Sequence, residues 1–236
     1  MNERERKEIL QKAKIFFKNN VAANHKKNTE KLTELKEFNI NPFTHKYLAN
    51  FAFGNSSPEN MAKALVYPRI LGTSISTTFG TQLQKFCNDV LSSYASTTPG
   101  IDIEFIDALD NRKKYCQVKA GPQTINHDDV ETIKNHFKGI KNIARTNGLH
   151  DFNPMIDCIV GVLYGNHDDL SGNYLAICED YSVFAGVEFW YHLTGDKNFY
   201  NELIDAFAEV AEEVNCSKVV NDVIANLAKE IKESEN

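Results

Sequence analysis

The sequence predicts an α/β fold: a mixed central β-sheet flanked by α-helices, with helical extensions at both ends. Three observations carry this. Within residues 100–121, two short runs rich in β-branched and aromatic residues flank a polar, basic turn, which is the pattern of a hairpin. Residues 155–164 form an apolar run of strand length, broken only by Asp157, as expected of a buried sheet strand. Around them, apolar residues recur at helical spacing over long stretches.

Composition sets the limits. The chain has 236 residues, 42% hydrophobic and 25% charged, enough for one sizeable core. A single domain is expected, helical over 1–66, with its core over 67–194 and closing helices over 195–236. The net charge of −6 offers no global attraction to nucleic acid, so any such surface must be a local basic patch. The cysteines at 87, 116, 158, 178 and 216 are odd in number and contain no Cys-x-x-Cys pair, which suits reduced core residues of a cytosolic protein. The first twenty residues lack the apolar stretch of a signal peptide, and no run approaches the roughly 18 apolar residues of a membrane span. A cytoplasmic protein without a membrane contact is expected.

In chain order, helices are expected over 2–20, where Ile9, Leu10, Ala13, Phe16 and Phe17 share a stripe, and over 28–38. His25, Lys26, Lys27 and Lys31 read as a solvated helix face rather than a phosphate contact. Short helices should follow over 43–53 and 59–65, with a break at Tyr67-Pro68. Ser74, Ser76, Thr77 and Thr78 offer caps for a long helix with the stripe Phe79, Leu83, Phe86, Val90 and Tyr94. Gln82 and Gln84 on this helix are assigned no role.

After the hairpin, Asp128 can cap a helix to about residue 147, with Val130, Ile133, Phe137, Ile140 and Ala144 facing the core. Lys134, Lys138, Lys141 and Arg145 run parallel to that stripe. Two readings of them stay open: phosphate contacts, or stems that cover the edge of the apolar face. Residues 174–178 are expected to form a neighbouring strand. His167-Asp168-Asp169 reads as a turn rather than a metal site, and His127-Asp128-Asp129 as capping. Residues 183–193 suggest an aromatic-rich helical segment, and two amphipathic helices end the chain.

The hairpin carries the chemistry. Alternation places Asp102, Glu104 and Ile106 on one face of the first strand and Tyr115, Gln117 and Lys119 on one face of the second. If Asp102 lies across from Lys119, then Glu104 lies across from Gln117, roughly 4.5–5.5 Å apart at Cβ. Asp102, a neighbouring oxygen and the Val118 carbonyl form a donor set for a hard divalent cation. Such a cation acidifies water and stabilises phosphoryl charge, while Lys119 orients the water or offsets developing negative charge. The competing reading is a solvated cross-strand charge cluster.

The spacing from Asp102 to Gln117-Val118-Lys119 resembles the PD-(D/E)XK nuclease core. GIDIEF followed by QVKAGPQTIN is similar to the hairpin of a type II restriction endonuclease family, as are INPF (40–43), YPRILGTSISTTFGTQLQKF (67–86), VGVLYGN (160–166) and AGVEFW (185–190). The ordered set is far more specific than the bare acid and lysine. Two departures stand out: Pro99 lies three residues before Asp102, and Gln117 occupies a position where the signature has an acid. Glu104 is a candidate source of the missing charge. The resemblance implies sequence-specific, Mg2+-dependent cleavage of double-stranded DNA by a homodimer, paired with a DNA methyltransferase of the same specificity. On it, Asp102, Gln117, Lys119 and Glu104 are the catalytic candidates, with Asp102, Gln117 and Val118 holding the metal. Action on damaged, branched or modified DNA, or DNA binding without cleavage, remain alternatives.

Overall fold

The computed structural model describes residues 2–91 and 94–234, apart from the side chains of Leu83 and Gln84. The chain forms two compact units. The first comprises Met1–Phe16 with Leu83–Phe207, the second Phe17–Gln82 with Ala208–Asn236.

The first unit holds a four-stranded sheet in the order β1 (Ile103–Ile106), β2 (Lys113–Lys119), β3 (Cys158–Val162) and β4 (Ser182–Ala185). β1 and β2 pair antiparallel; β2, β3 and β4 run parallel. Parallel neighbours need crossovers. α7 (His127–Thr146) supplies the first, and α9 (Gly172–Cys178), after a 3-10 turn at His167–Asp169, supplies the second. The predicted stripe of α7, from Val130 to Ala144, is buried, and most of it packs with Val160, Val162, Tyr174, Ile177 and Val183. At its start Asn126 and Asp129 form a capping box, so the acid that pairs with the cap is Asp129 rather than Asp128. On the opposite face Phe189 of α10 (Val187–Thr194) sits where a Cβ on Gly161 would stand, its ring carbon 2.3 Å from that position. Only a glycine in β3 admits it.

The expectation of a strand at 174–178 is corrected: this stretch is α9. A short apolar run is ambiguous by periodicity, and Tyr174 and Ile177, three residues apart, are the two that it buries. The fourth strand is instead Ser182–Ala185, whose end was expected to be helical. Gly186, at φ 50°, separates it from α10.

α1 (Glu3–Phe16) also belongs to this unit, where Phe16 meets Phe86 of α6 (Leu83–Asp89) edge-on. The strand expected over 155–164 is shorter: α8 (Pro154–Asp157) takes its first three residues, leaving Met155 and Ile156 exposed, and β3 starts at Cys158. α11 (Phe199–Val214) begins in this unit.

The second unit is helical: α2 (Ala23–Glu30), α3 (Pro42–Phe53), α4 (Pro58–Pro68), α5 (Ser74–Thr81) and α12 (Ser217–Ser234). Its core joins Ala49, Met61, Ala62 and Val66 to Val223, Ile224, Leu227 and Ile231. The helix expected over 28–38 stops at Glu30, leaving a 3-10 turn at Leu35–Glu37. Pro68 does not end its helix. The chain widens into π-helical turns at Arg69–Thr73 and continues as α5, which is how a helix accommodates a missing N–H and a ring. The long helix expected from Ser74 is interrupted at Gln82. Thr78 and Thr81 hydroxyls bond back to the carbonyls of Ser74 and Thr78, so these residues weaken the helix from within instead of capping it. Leu83 and Gln84 side chains lie outside the described residues.

No helix among the described residues is long and apolar enough to cross a membrane. Cys87, Cys116 and Cys158 are buried, and all five cysteines are free. Burial pushes the Cys87 and Cys158 thiols up to about 12, so neither is a thiolate nucleophile.

Candidate active site

The hairpin register differs by two residues from the one considered above: Glu104 faces Tyr115 and Ile103 faces Cys116. The Asp102 N–H also donates to the Cys116 carbonyl, at 3.0 Å. Two residues of the first strand therefore oppose one of the second, the signature of a β-bulge, which re-aims a side chain and ends regular pairing. Asp102 leaves the alternation on which its placement beside Glu104 was based. Its Oδ2 accepts the Val118 N–H at 2.7 Å, taking up a main-chain donor just past the last paired residues of the hairpin.

The bulge also frees a carbonyl. Lys119 O accepts from Leu163 N, on the β3 side, and alternation turns the Val118 carbonyl toward the β1 side, beyond the end of the ladder. Burial raises the Asp102 pKa above its ordinary value; the Val118 N–H, Lys119 and His136 pull the other way without cancelling it. The carboxylate is thus short of compensating charge, a condition that a cation relieves. Lys119, at the end of β2, is half-buried.

Gln117 is buried, and its Nε2 lies 2.7 Å from Nδ1 of His136. Among the described residues its Oε1 accepts no hydrogen bond, and it is not sealed from solvent. Sequence reasoning missed His136. It lies on α7 between the core residues Ile133 and Phe137, and nothing in its local pattern marks it. At Gly100, where φ is 78°, a Cβ would stand 2.4 Å from the His136 ring, so this glycine makes room for the imidazole, while Ile101 stands where the signature has its proline.

Glu104 is drawn elsewhere. Its carboxylate accepts from Ser96 Oγ at 2.5 Å and Thr98 Oγ1 at 2.6 Å and pairs with Lys113 at 2.6 Å. Burial pushes its pKa up, but these partners outweigh it and hold Glu104 below its ordinary value. It lines a cavity with Glu5, Glu8, Lys12, Tyr94 and Lys113.

At the closed end of the hairpin, the turn expected to be polar buries a charge. Lys114 is 1% exposed, held by Asp110, by Asp107 at 3.5 Å and by the Ile156 carbonyl at 3.2 Å. Asp107 also meets His192 Nδ1 at 2.7 Å. Nearby, Arg112 clamps Asp157 through two bonds of 2.7 and 2.6 Å. These groups are paired with one another, whereas Asp102, Gln117 and Lys119 keep unclaimed valences at the open end among the described residues.

A mixed sheet flanked by helices, with an acid and a lysine at the open end of its antiparallel hairpin, is a restriction-endonuclease-like α/β architecture. A family model described as type II restriction endonuclease EcoO109I matches residues 11–215, and the chain belongs to that family of sequence-specific DNA endonucleases. A search of curated proteins returned no match.

Proposed function

We propose that the protein cleaves double-stranded DNA at a specific sequence in a Mg2+-dependent reaction at the Asp102 bulge. The carrying observation is a desolvated carboxylate, tied by one oxygen to Val118 and lying in the field of Lys119. The donor set fits a hard cation: the free oxygen of Asp102, Oε1 of Gln117 and the Val118 carbonyl would hold it, phosphate oxygens of DNA completing the shell. When bound, Mg2+ supplies Lewis-acid stabilisation of phosphoryl charge and a more acidic water.

The chain's own residues do the rest. The Val118 N–H fixes the orientation of Asp102, and the Lys119 ammonium donates to the attacking water or to the phosphoryl oxygens as charge builds. Glu104 braces the 96–104 loop through Ser96, Thr98 and Lys113, partners that would keep it from serving as a metal ligand. Cleavage of both strands of a twofold site is met most simply by a homodimer, acting in the cytoplasm alongside a methyltransferase of the same specificity.

The replacement of the signature acid by Gln117 favours a second reading, DNA binding without cleavage. Incubating the protein with DNA of mixed sequence and Mg2+ separates the two. Discrete fragments are expected, and Asp102→Ala or Lys119→Ala should remove them, with losses of at least 100-fold in rate and little change in DNA affinity. Full cutting by either variant would dismiss the assigned site, and binding without cuts by the wild type would establish the second reading.

A further inference from the structure

We infer that His136 is a positioning residue for catalysis, its Nδ1 holding the Gln117 amide so that the carbonyl oxygen is presented as a metal ligand in place of the family's acid. The inference rests on the site proposed above. An amide differs from a carboxylate in having two unlike ends: Oε1 ligates a hard cation, and the NH2 group repels it. A glutamine substituted for an acid therefore functions only if something chooses between the two orientations.

His136 does so here. With Nε2 of Gln117 2.7 Å from Nδ1, the ring nitrogen acts as acceptor, its proton resides on the ring's other nitrogen, and Oε1 is left without a protein partner among the described residues. Three features hold the pair in place. Gln117 is 5% exposed near the end of β2, His136 lies between the buried Ile133 and Phe137 in the sequence of α7, and Gly100 opens the space that the ring fills. Losing the ring takes away the amide's hydrogen-bond partner at Nε2 and leaves the amide free to turn.

The claim is conditional on residue 117 and is testable as a cycle. Mn2+ binding to the full chain is measured by the electron paramagnetic resonance of the free ion, alongside kcat and KM for DNA cleavage. His136→Ala should weaken Mn2+ binding and lower kcat by about 10–100-fold, the usual size of an outer-shell effect, while KM for DNA stays within about twofold. His136→Asn, whose Oδ1 can accept from the same amide, should recover most of the loss. In a Gln117→Glu background, where both side-chain oxygens are equivalent, His136→Ala should cost less than about threefold. Thermal melting of each variant shows that it is folded.

Unchanged Mn2+ affinity in His136→Ala would overturn the inference, as would an equal loss in both backgrounds. Asp102→Asn distinguishes these from failure of the site itself: retained Mn2+ binding in that variant sinks the metal assignment, whereas its loss together with an indifferent His136→Ala sinks only the role of His136.

Discussion

As the proposed metal ligand, Asp102 sets function against stability. Its carboxylate is held above its ordinary pKa by burial, so the folded chain binds a proton there more readily than the unfolded chain does. The stability that this group contributes is full below the unfolded carboxylate pKa and is lost as pH rises through the folded one. At neutral pH the bare charge is therefore a burden on the metal-free fold. Asp102→Asn removes the charge and keeps an oxygen to accept the Val118 N–H. In chelator at neutral pH this variant should melt at or above the wild-type temperature, the difference shrinking as pH falls, while cleavage is abolished. A clear loss of stability would mean that the carboxylate is compensated in the metal-free protein. For the wild type, cleavage should decline as pH drops through the raised Asp102 pKa, because the protonated acid cannot bind a cation.

At the scale of elements, the hairpin divides its charges between two ends. The closed end buries Lys114 against Asp107 and Asp110, and removing one partner from a buried pair costs about 3–5 kcal/mol. Lys114→Ala should lower the melting temperature by on the order of 10 °C, with Mn2+ affinity at the open end unaltered; a shift of only a degree or two would show that the acids re-pair or hydrate. The sequence made the hairpin, the buried strand and the α7 stripe legible because each follows the periodicity of its own element. The bulge at Asp102 was not legible, since an extra residue in a strand leaves no mark on composition. It decides the site all the same, separating Asp102 from Glu104 and freeing the Val118 carbonyl. His136 was hidden for a similar reason: its partner Gln117 is nineteen positions away, and only packing of α7 on the sheet joins them. The 174–178 error came from a run too short for its period to be told.

At the scale of the molecule, an acidic chain must bind a polyanion through a local surface. Lys134 is committed to Asp180 at 2.6 Å, but Lys138, Lys141 and Arg145 are exposed along α7, the helix that also carries His136. If they meet phosphates, replacing all three by Gln should reduce the slope of log affinity against log salt by roughly 2–3, without altering the sequence that is cut. An unchanged slope assigns the row to solvent. A second surface bears on assembly: α3 presents Phe43, Tyr47 and Phe51, one helical turn apart and 92%, 61% and 77% exposed, with the last two rings stacked 5.8 Å apart. Together they offer roughly 450 Å² of aromatic surface, more than half of the ~800 Å² that a stable interface takes from each partner, and a stripe on one helix face is self-complementary about a twofold axis. If the proposed homodimer forms across this stripe, Phe43→Ser combined with Phe51→Ser should convert it into a monomer in sedimentation. With each active site intact but unpaired, a supercoiled plasmid should then accumulate as the nicked circle, where the wild type yields linear DNA. A double variant that sediments as the wild type does and still linearises the plasmid would place the twofold contact elsewhere.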